Sequence, residues 1–426
     1  MWTSHPSANV ARMARLLIIG LFALPFLTGA SGPPSYQDID QPPHNYWQRP
    51  LNDPFTRLKA RLDSGEIPLD RSHERAFLES LLRALDIPPS SQMLLFSTTS
   101  LQLSLIKPYN PRALFFNEDV YLGYIPGGKI EIVSLDPEIG GIFYIMDIPR
   151  AEGPLRIERS TRCMNCHAAA DTGYVPGLVI KSVIPGPNGG SLKSFRQERT
   201  GHDIPLEERF GGWYVTGHGG FTNHWGNLAG RLAAGALTTV PMNPAELAQP
   251  ARYPHTGSDL LPQLIHEHQA GFVNRVLEAG YRARTALHSS QGKLTTEQEG
   301  ELADQAGRLT RYLLFADEVK LPSGGVAGDE AFKRDFLQAK RTAKNGASLR
   351  DFDLQTRLFR HRCSYMIYSR VFQGLPAEMK QRVYLRLREA LDPRRPHPDY
   401  AYLPVAEKTA IRVILKETLP DLPADW

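Results

Sequence analysis

Two cysteines and a histidine stand together in the stretch Cys-Met-Asn-Cys-His at residues 163–167. The thiols of Cys163 and Cys166 are three positions apart, so both can add to the two vinyl groups on one edge of a haem. The adjacent imidazole of His167 is then delivered to the haem iron from the proximal side. The spacing therefore predicts one covalently bound haem c, attached through Cys163 and Cys166 and ligated by His167.

Two other chemistries use the same residue types. A redox dithiol of the C-x-x-C kind is expected within a βαβ pattern, whereas Cys163 follows a proline-containing connection. A structural zinc site needs a second pair of Cys or His ligands, which His266 and His268 could supply only by chance. We therefore favour haem and keep zinc and the dithiol as alternatives.

The five residues of this motif resemble the attachment site of the c-type cytochromes, and the whole chain is similar in outline to large exported bacterial cytochrome-domain proteins of unassigned role. The resemblance implies two thioether bonds, a proximal His167 and attachment of the haem outside the cytoplasm. In c-type cytochromes the carbonyl of a downstream proline often accepts the Nδ1–H of the proximal histidine, which orients the ring. Pro176-Gly177 is the nearest candidate, and an ordinary turn is the alternative.

The residue opposite His167 decides what such a haem can do. A His or Met ligand favours electron transfer, whereas an open position makes a site for small molecules. His268 lies in the apolar stripe of a predicted helix, and His224 lies in a loop rich in Gly and aromatic residues; these are the two distal candidates. A buried His bonded to a carbonyl and a turn-stabilising His are the respective alternatives. Weaker candidates are His218, Met242 and Met366.

The N-terminus has the three parts of a secretory leader. Arg12 and Arg15 supply positive charge, residues 16–27 are an apolar run, and Thr28-Gly29-Ala30 supplies small residues for cleavage. The run is too short for a hydrocarbon core of about 30 Å, and no later stretch approaches the length of a membrane span. The sequence therefore predicts a cleaved signal peptide at residues 1–30 and a periplasmic protein with no stable membrane span. A membrane anchor is the alternative.

Composition is that of an ordinary globular protein, with 42% hydrophobic and 22% charged residues. The formal net charge of +4 is too small to indicate a nucleic-acid partner. Of the three cysteines, two belong to the motif, which excludes a disulfide framework.

Apolar patterning predicts an α+β fold that is mainly helical. Short apolar runs separated by turn residues predict a small antiparallel sheet before the haem motif, with four or five strands: Met93–Phe96, Ala113–Phe116, Val120–Ile125, Ile130–Val133 and Ile142–Ile148. The Gly/Pro-rich residues 168–257 are predicted to be loops that wrap the haem. Helical periodicity predicts one helix near the N-terminus, Phe55–Leu85, and a helical C-terminal half. The predicted helices of that half are Ser258 to about Leu287, one from Thr295 or Thr296 to about Leu321, Phe352–Phe372, one beginning at Pro376, and Ala406–Leu419.

These predictions divide the chain into four regions. A signal peptide at 1–30 is followed by an N-terminal lead-in and helix at 31–90. Residues 91–257 form the haem-bearing region with short strands and long loops, and residues 258–426 form a helical region that packs on it.

The length of 426 residues far exceeds the roughly one hundred that a simple electron carrier needs. We expect a periplasmic monohaem c-type cytochrome that passes single electrons to or from a redox partner protein. The alternative is a haem enzyme, oxidase- or peroxidase-like, with an open distal iron site and a small-molecule substrate. A sensor or structural haem protein is a third possibility. The coordination of the iron would distinguish the electron carrier from the haem enzyme.

Overall fold

Short segments rich in β-branched and aromatic residues pair in chain order to form a six-stranded antiparallel sheet. Short turns join the four central strands, and Gly127 and Gly140 adopt the left-handed backbone conformation that such turns require. The strands are β1 (Met93–Leu95), β2 (Arg112–Phe116), β3 (Val120–Tyr124), β4 (Ile130–Asp136), β5 (Gly140–Met146) and β6 (Ile157–Arg159). The predicted antiparallel sheet before the haem motif is therefore confirmed, with β6 as an additional strand.

This fold is described from a computed structural model for residues 39–149, 153–194, 200–217, 219–234, 236–247, 249–395, 397–424 and 426. The predicted signal peptide at 1–30 and the candidate ligand His218 lie outside the described residues. The described residues from 39 onward belong to one compact unit, to which all three predicted regions after the leader contribute. Nowhere in these ranges is a helix both long and apolar enough to cross a membrane.

The two faces of the sheet have different neighbours. One face packs against α1 (Pro54–Asp63), where the ring of Phe55 lies 4.7 Å from that of Tyr144. The following helix, α2 (Glu74–Ala84), reaches the same face through a hydrogen bond between Tyr124 Oη and Glu74. The opposite face is therefore left to interact with the haem motif and the helices of the C-terminal half.

The haem motif forms a short helix, α3 (Met164–His167), directly after β6. The region predicted to be loops, residues 168–257, is irregular over most of its described length. It also contains two small hairpins, β7 (Val183–Pro185) with β8 (Ser191–Ser194) and β9 (Leu228–Ala233) with β10 (Ala236–Pro241), and a short helix, α4 (Pro244–Leu247).

The C-terminal half is built around α5 (Leu260–Ser289), a 30-residue helix that is buried on nearly all sides. Its N-cap is Asp259, whose carboxylate accepts a hydrogen bond from Leu261 N. The helix therefore begins one residue later than the predicted start at Ser258. The helices that follow are α6 (Thr296–Leu313), α7 (Glu330–Gln338), α8 (Arg370–Gln373), α9 (Ala377–Ala390) and α10 (Val405–Thr418).

Two of the predicted helices are wrong. The segment Phe55–Leu85 is two helices, because the chain turns between them at Gly65, which has a positive φ of 75°. The segment Phe352–Phe372 is mostly irregular, and only a single turn at Tyr365–Tyr368 and the first residues of α8 are helical. Its apolar residues pack as clustered rings, with Phe352 and Phe359 5.7 Å apart, so their spacing does not report a helical face. Among the described residues, helix exceeds strand only moderately, at 36% against 15%, so "mainly helical" overstates an α+β fold.

Candidate functional site

The helical turn α3 brings the three predicted haem-binding side chains to one place. His167 N donates a hydrogen bond to Cys163 O over 3.0 Å, which closes the turn between the first thiol and the imidazole. Cys163 is half-buried and Cys166 is exposed, and neither is in a disulfide. Cys163, Cys166 and His167 all line the same cavity.

The ring of His167 is held by its neighbours. Its Nδ1 lies 2.9 Å from Gly177 O, and Gly177 N donates back to His167 O over 2.8 Å. The ring also packs on Phe143, with 4.6 Å between the ring centroids. With Nδ1 occupied by a carbonyl, Nε2 is the nitrogen left for a ligand, which is the arrangement found in metal-binding histidines.

The carbonyl that holds His167 is one residue away from the predicted one. Pro176 O accepts instead from Gly141 N over 2.8 Å, so it belongs to the contact with the β5 strand. Burial lowers the pKa of His167, and the hydrogen bond to Gly177 partly opposes this shift. The imidazole is therefore neutral at pH 7, which is the form that binds a metal.

The cavity has a volume of about 410 Å³, within the range of small-molecule and cofactor sites. Its floor is the second face of the sheet, and α3, the loop around Leu178 and the partly exposed segment 98–103 contribute the rest of its lining. Most of the lining is apolar, and Leu101 and Leu103 are exposed at its edge. The apolar and aromatic lining residues are Leu95, Leu101, Leu103, Leu114, Tyr121, Ile132, Val133, Phe143, Tyr144, Leu178, Val179 and Trp213.

Positive charge lies at the walls of this cavity. Arg112, Arg162 and Lys181 line it, together with a single acidic residue, Glu131. Arg112 forms a salt bridge with Glu131 at 2.5 Å, and its Nε is buried without a hydrogen-bond partner in the described residues. The lining thus combines a mostly apolar surface with basic side chains, of which Arg112 is paired with Glu131 and Lys181 with Asp171.

His268 does not line the cavity. Its two ring nitrogens lie 2.7 Å from His202 Nδ1 and 2.8 Å from Ser364 Oγ, and its ring stacks on Phe315 at 4.5 Å. Both nitrogens thus have protein partners, and no nitrogen is left for iron. The structure corrects this distal candidate to a buried core histidine, although its partners are a hydroxyl and a second imidazole rather than the expected carbonyl.

The other described distal candidates also lie outside the cavity lining. His224 Nδ1 accepts a hydrogen bond from Gly226 N at 2.9 Å, which corresponds to the turn-stabilising alternative. Met242 is half-buried and packs against the core beside Asn227. Met366 is fully buried in the turn Tyr365–Tyr368.

Besides His167, His266 is the histidine among the described residues that lines the cavity. The sequence places it two residues before His268 on the same helix, which turns it to a different side. An apolar stripe marks the buried side of a helix only when another side faces water. Because α5 is buried nearly all round, the stripe through His268 could not show which side faces the cavity.

A redox dithiol and a zinc site are the two alternatives to haem at Cys163 and Cys166. Burial raises the pKa of the Cys163 thiol, whereas a reactive redox cysteine has a lowered pKa. In the part of the chain that the structure describes, no three His, Cys, Asp or Glu side chains are arranged to hold a metal ion. The zinc alternative therefore lacks a ligand set among these residues.

Comparison of the chain with protein-family models, curated proteins and solved structures finds no match.

Proposed function

We propose that this protein is an exported c-type cytochrome with a single haem, and that it transfers one electron at a time. The observation that carries the proposal is the arrangement of α3. Two thiols and an imidazole on a single turn line an apolar cavity, and the imidazole is already oriented by a backbone carbonyl.

The residues fit the group that the motif implies. Cys163 and Cys166 would form thioether bonds to the vinyl groups, and His167 Nε2 would bind the iron. The Gly177 carbonyl accepts the Nδ1–H and so raises the basicity of the ring as a ligand. Arg162 would supply positive charge for a propionate, whereas Arg112 and Lys181 already pair with Glu131 and Asp171. When bound, the haem supplies one-electron redox chemistry.

The polar lining of the cavity supports a haem enzyme as the second candidate. Arg112 lines the cavity, and its Nε has no hydrogen-bond partner among the described residues. Such a donor can bind or polarise a small substrate. The two candidates differ in whether the second axial position of the iron is filled.

Covalent attachment tests the proposal directly. The full chain is expressed with a bacterial c-type haem maturation system, and intact mass is measured after acid-acetone extraction. We expect a mature chain beginning at Ser31 that is heavier by one haem. Cys163→Ala/Cys166→Ala should lose this mass, whereas Cys363→Ala, which removes a buried cysteine outside the cavity, should keep it. An extractable haem, or none, would overturn the proposal.

A further inference from the structure

His266 is a buried histidine whose ring makes no hydrogen bond within the described residues. It is 8% exposed and lines the same cavity as His167. Aromatic rings surround it, with centroid distances of 5.2 Å to Phe116 and 5.6 Å to Tyr121. A buried imidazole without a partner is costly to the fold, so the ring is expected to have a partner that occupies the cavity.

The position of His266 on α5 is fixed. Gln269, one turn further along the helix and on the same side, accepts a hydrogen bond from Tyr121 Oη and donates one to Tyr365 Oη. These bonds hold this side of α5 against the sheet. The direction of His266 therefore follows from the helix and does not depend on a loop.

The register of the sheet places His266 across the cavity from His167. Tyr121 pairs with Val133, and Val133 pairs with Phe143, so the three side chains share one face. His167 packs on Phe143 at one end of this row, and His266 packs on Tyr121 at the other. Two strand spacings, about 10 Å, separate the ends, which leaves space between the two imidazoles for a flat macrocycle.

His266 also has the protonation state of a metal ligand. Burial lowers the pKa of His266 to about 3, and the positive charge of Arg112 adds to this effect. The ring is therefore neutral throughout the physiological range. A neutral imidazole with no protein partner can donate its lone pair to iron.

We propose that His266 is the sixth ligand of the haem held by Cys163, Cys166 and His167. The inference rests on the proposed function, since it needs the haem to be attached at α3. A second imidazole on the iron would close the site to small molecules, and so favours the electron carrier over the enzyme.

The test uses the mature holoprotein and two variants of the same helix. Wild-type ferric protein should give a low-spin absorption and electron paramagnetic resonance spectrum, and the ferrous protein should not bind CO. His266→Ala should become high-spin and bind CO, and added imidazole should restore the low-spin spectrum. His268→Ala is the matched control, since it removes a buried histidine bonded to Ser364 and His202, and its spectrum should remain low-spin.

The outcomes separate the two proposals. If no haem is covalently attached, the proposed function fails. If haem is attached but the wild type is high-spin, His266 is not the ligand and the enzyme candidate replaces the electron carrier. If the wild type is low-spin and His266→Ala keeps that spectrum, the electron carrier stands and another residue is the ligand. Should His266→Ala fail to accumulate, His266→Met provides the second variant. It should remain low-spin, gain the near-infrared band of a methionine-ligated ferric haem and show a raised reduction potential; absence of these changes would overturn the inference.

Discussion

Gly177 fixes the direction of the His167 imidazole through its backbone. Its carbonyl lies against His167 Nδ1, and its amide bonds to the His167 carbonyl. The next residue, Leu178, is held on both its backbone N–H and C=O by the side-chain amide of Asn274 from α5. The loop after the haem motif is thus tied to the long helix at one point, and the orientation of His167 depends on that contact.

Replacing Gly177 with Ala should destabilise the protein, because a Cβ at this position would collide with Asn274 Oδ1. We expect the free energy of unfolding to fall by about 1–3 kcal/mol, together with a shift in the haem absorption spectrum as His167 moves. Urea denaturation and absorption spectroscopy measure the two effects. Gly307→Ala in α6, where a Cβ meets nothing within 4 Å, is the control and should be slightly stabilising. Equal stability of Gly177→Ala and wild type would contradict this role.

His44 should make the protein less stable in acid. Burial, followed by the charge of Arg284, lowers the pKa of His44 from 6.5 to about 4. Below pH 6.5 the unfolded chain binds a proton that the folded chain does not, so stability falls as the pH drops toward 4. Between pH 7 and pH 5 the loss should be up to about 2 kcal/mol.

The variant His44→Gln should flatten this part of the pH dependence of unfolding, measured by urea titrations at several pH values. His397→Gln, on a surface turn, serves as control and should leave the slope as in the wild type. A wild-type slope in His44→Gln would show that other groups cause the acid sensitivity.

At the scale of elements, the start of α6 is specified by two overlapping capping patterns in the sequence. The structure uses the first of them. Thr295 Oγ1 accepts from Gln298 N at 3.2 Å, and Gln298 Oε1 accepts from Thr295 N at 2.9 Å. Thr296 is the first residue inside the helix. The two adjacent threonines therefore have different roles although their side chains are identical.

Thr295→Ala should lower the free energy of unfolding by about 1 kcal/mol, because the backbone N–H of Gln298 loses its acceptor, Thr295 Oγ1. Thr296→Ala should change it little, since alanine is the better helix former at an interior position. Thermal or urea unfolding of the two variants gives the comparison. If Thr296→Ala proved the more destabilising, the helix would begin one residue later than described.

The sequence predicts those elements whose ends are marked by local chemistry. Turn residues bound the strands from Met93 to Met146, and capping residues mark the starts of α5 and α6, so these elements could be predicted. The segment Phe352–Phe372 could not, because its aromatic residues pack against distant rings rather than along one helical face. The haem motif is also a local pattern in the sequence. Whether His266 faces the cavity depends on how α5 packs against the sheet, and no local sequence pattern indicates this packing.

At the scale of the whole molecule, the cavity lies between parts that are far apart in the sequence. The sheet forms the floor of the cavity, α3 and the loop after α3 form one side, and α5 contributes His266. All of these belong to one compact unit. A cofactor bound there would contact each of them at once and would act as part of the core.

If a haem is attached covalently as we propose, its loss should destabilise the entire fold and not only the loop that carries α3. A haem attached through two thioether bonds stays on the unfolded chain, so it would stabilise the fold through the apolar contacts and axial bonds that form only in the folded state. We expect Cys163→Ala/Cys166→Ala to unfold at lower urea concentration than the wild-type holoprotein, in one transition seen equally by far-ultraviolet circular dichroism and by tryptophan fluorescence. The wild-type chain produced without haem maturation should resemble the double variant, which separates loss of haem from loss of the thiols. Trp213 lines the cavity and contributes to the fluorescence signal, whereas α5 passes through the core and contributes to the circular dichroism signal. Both measurements should therefore detect the loss of a haem bound as we propose. An unchanged urea midpoint in the double variant would mean that the haem lies at the periphery of the molecule, and that the cavity between the sheet and α5 is not its site.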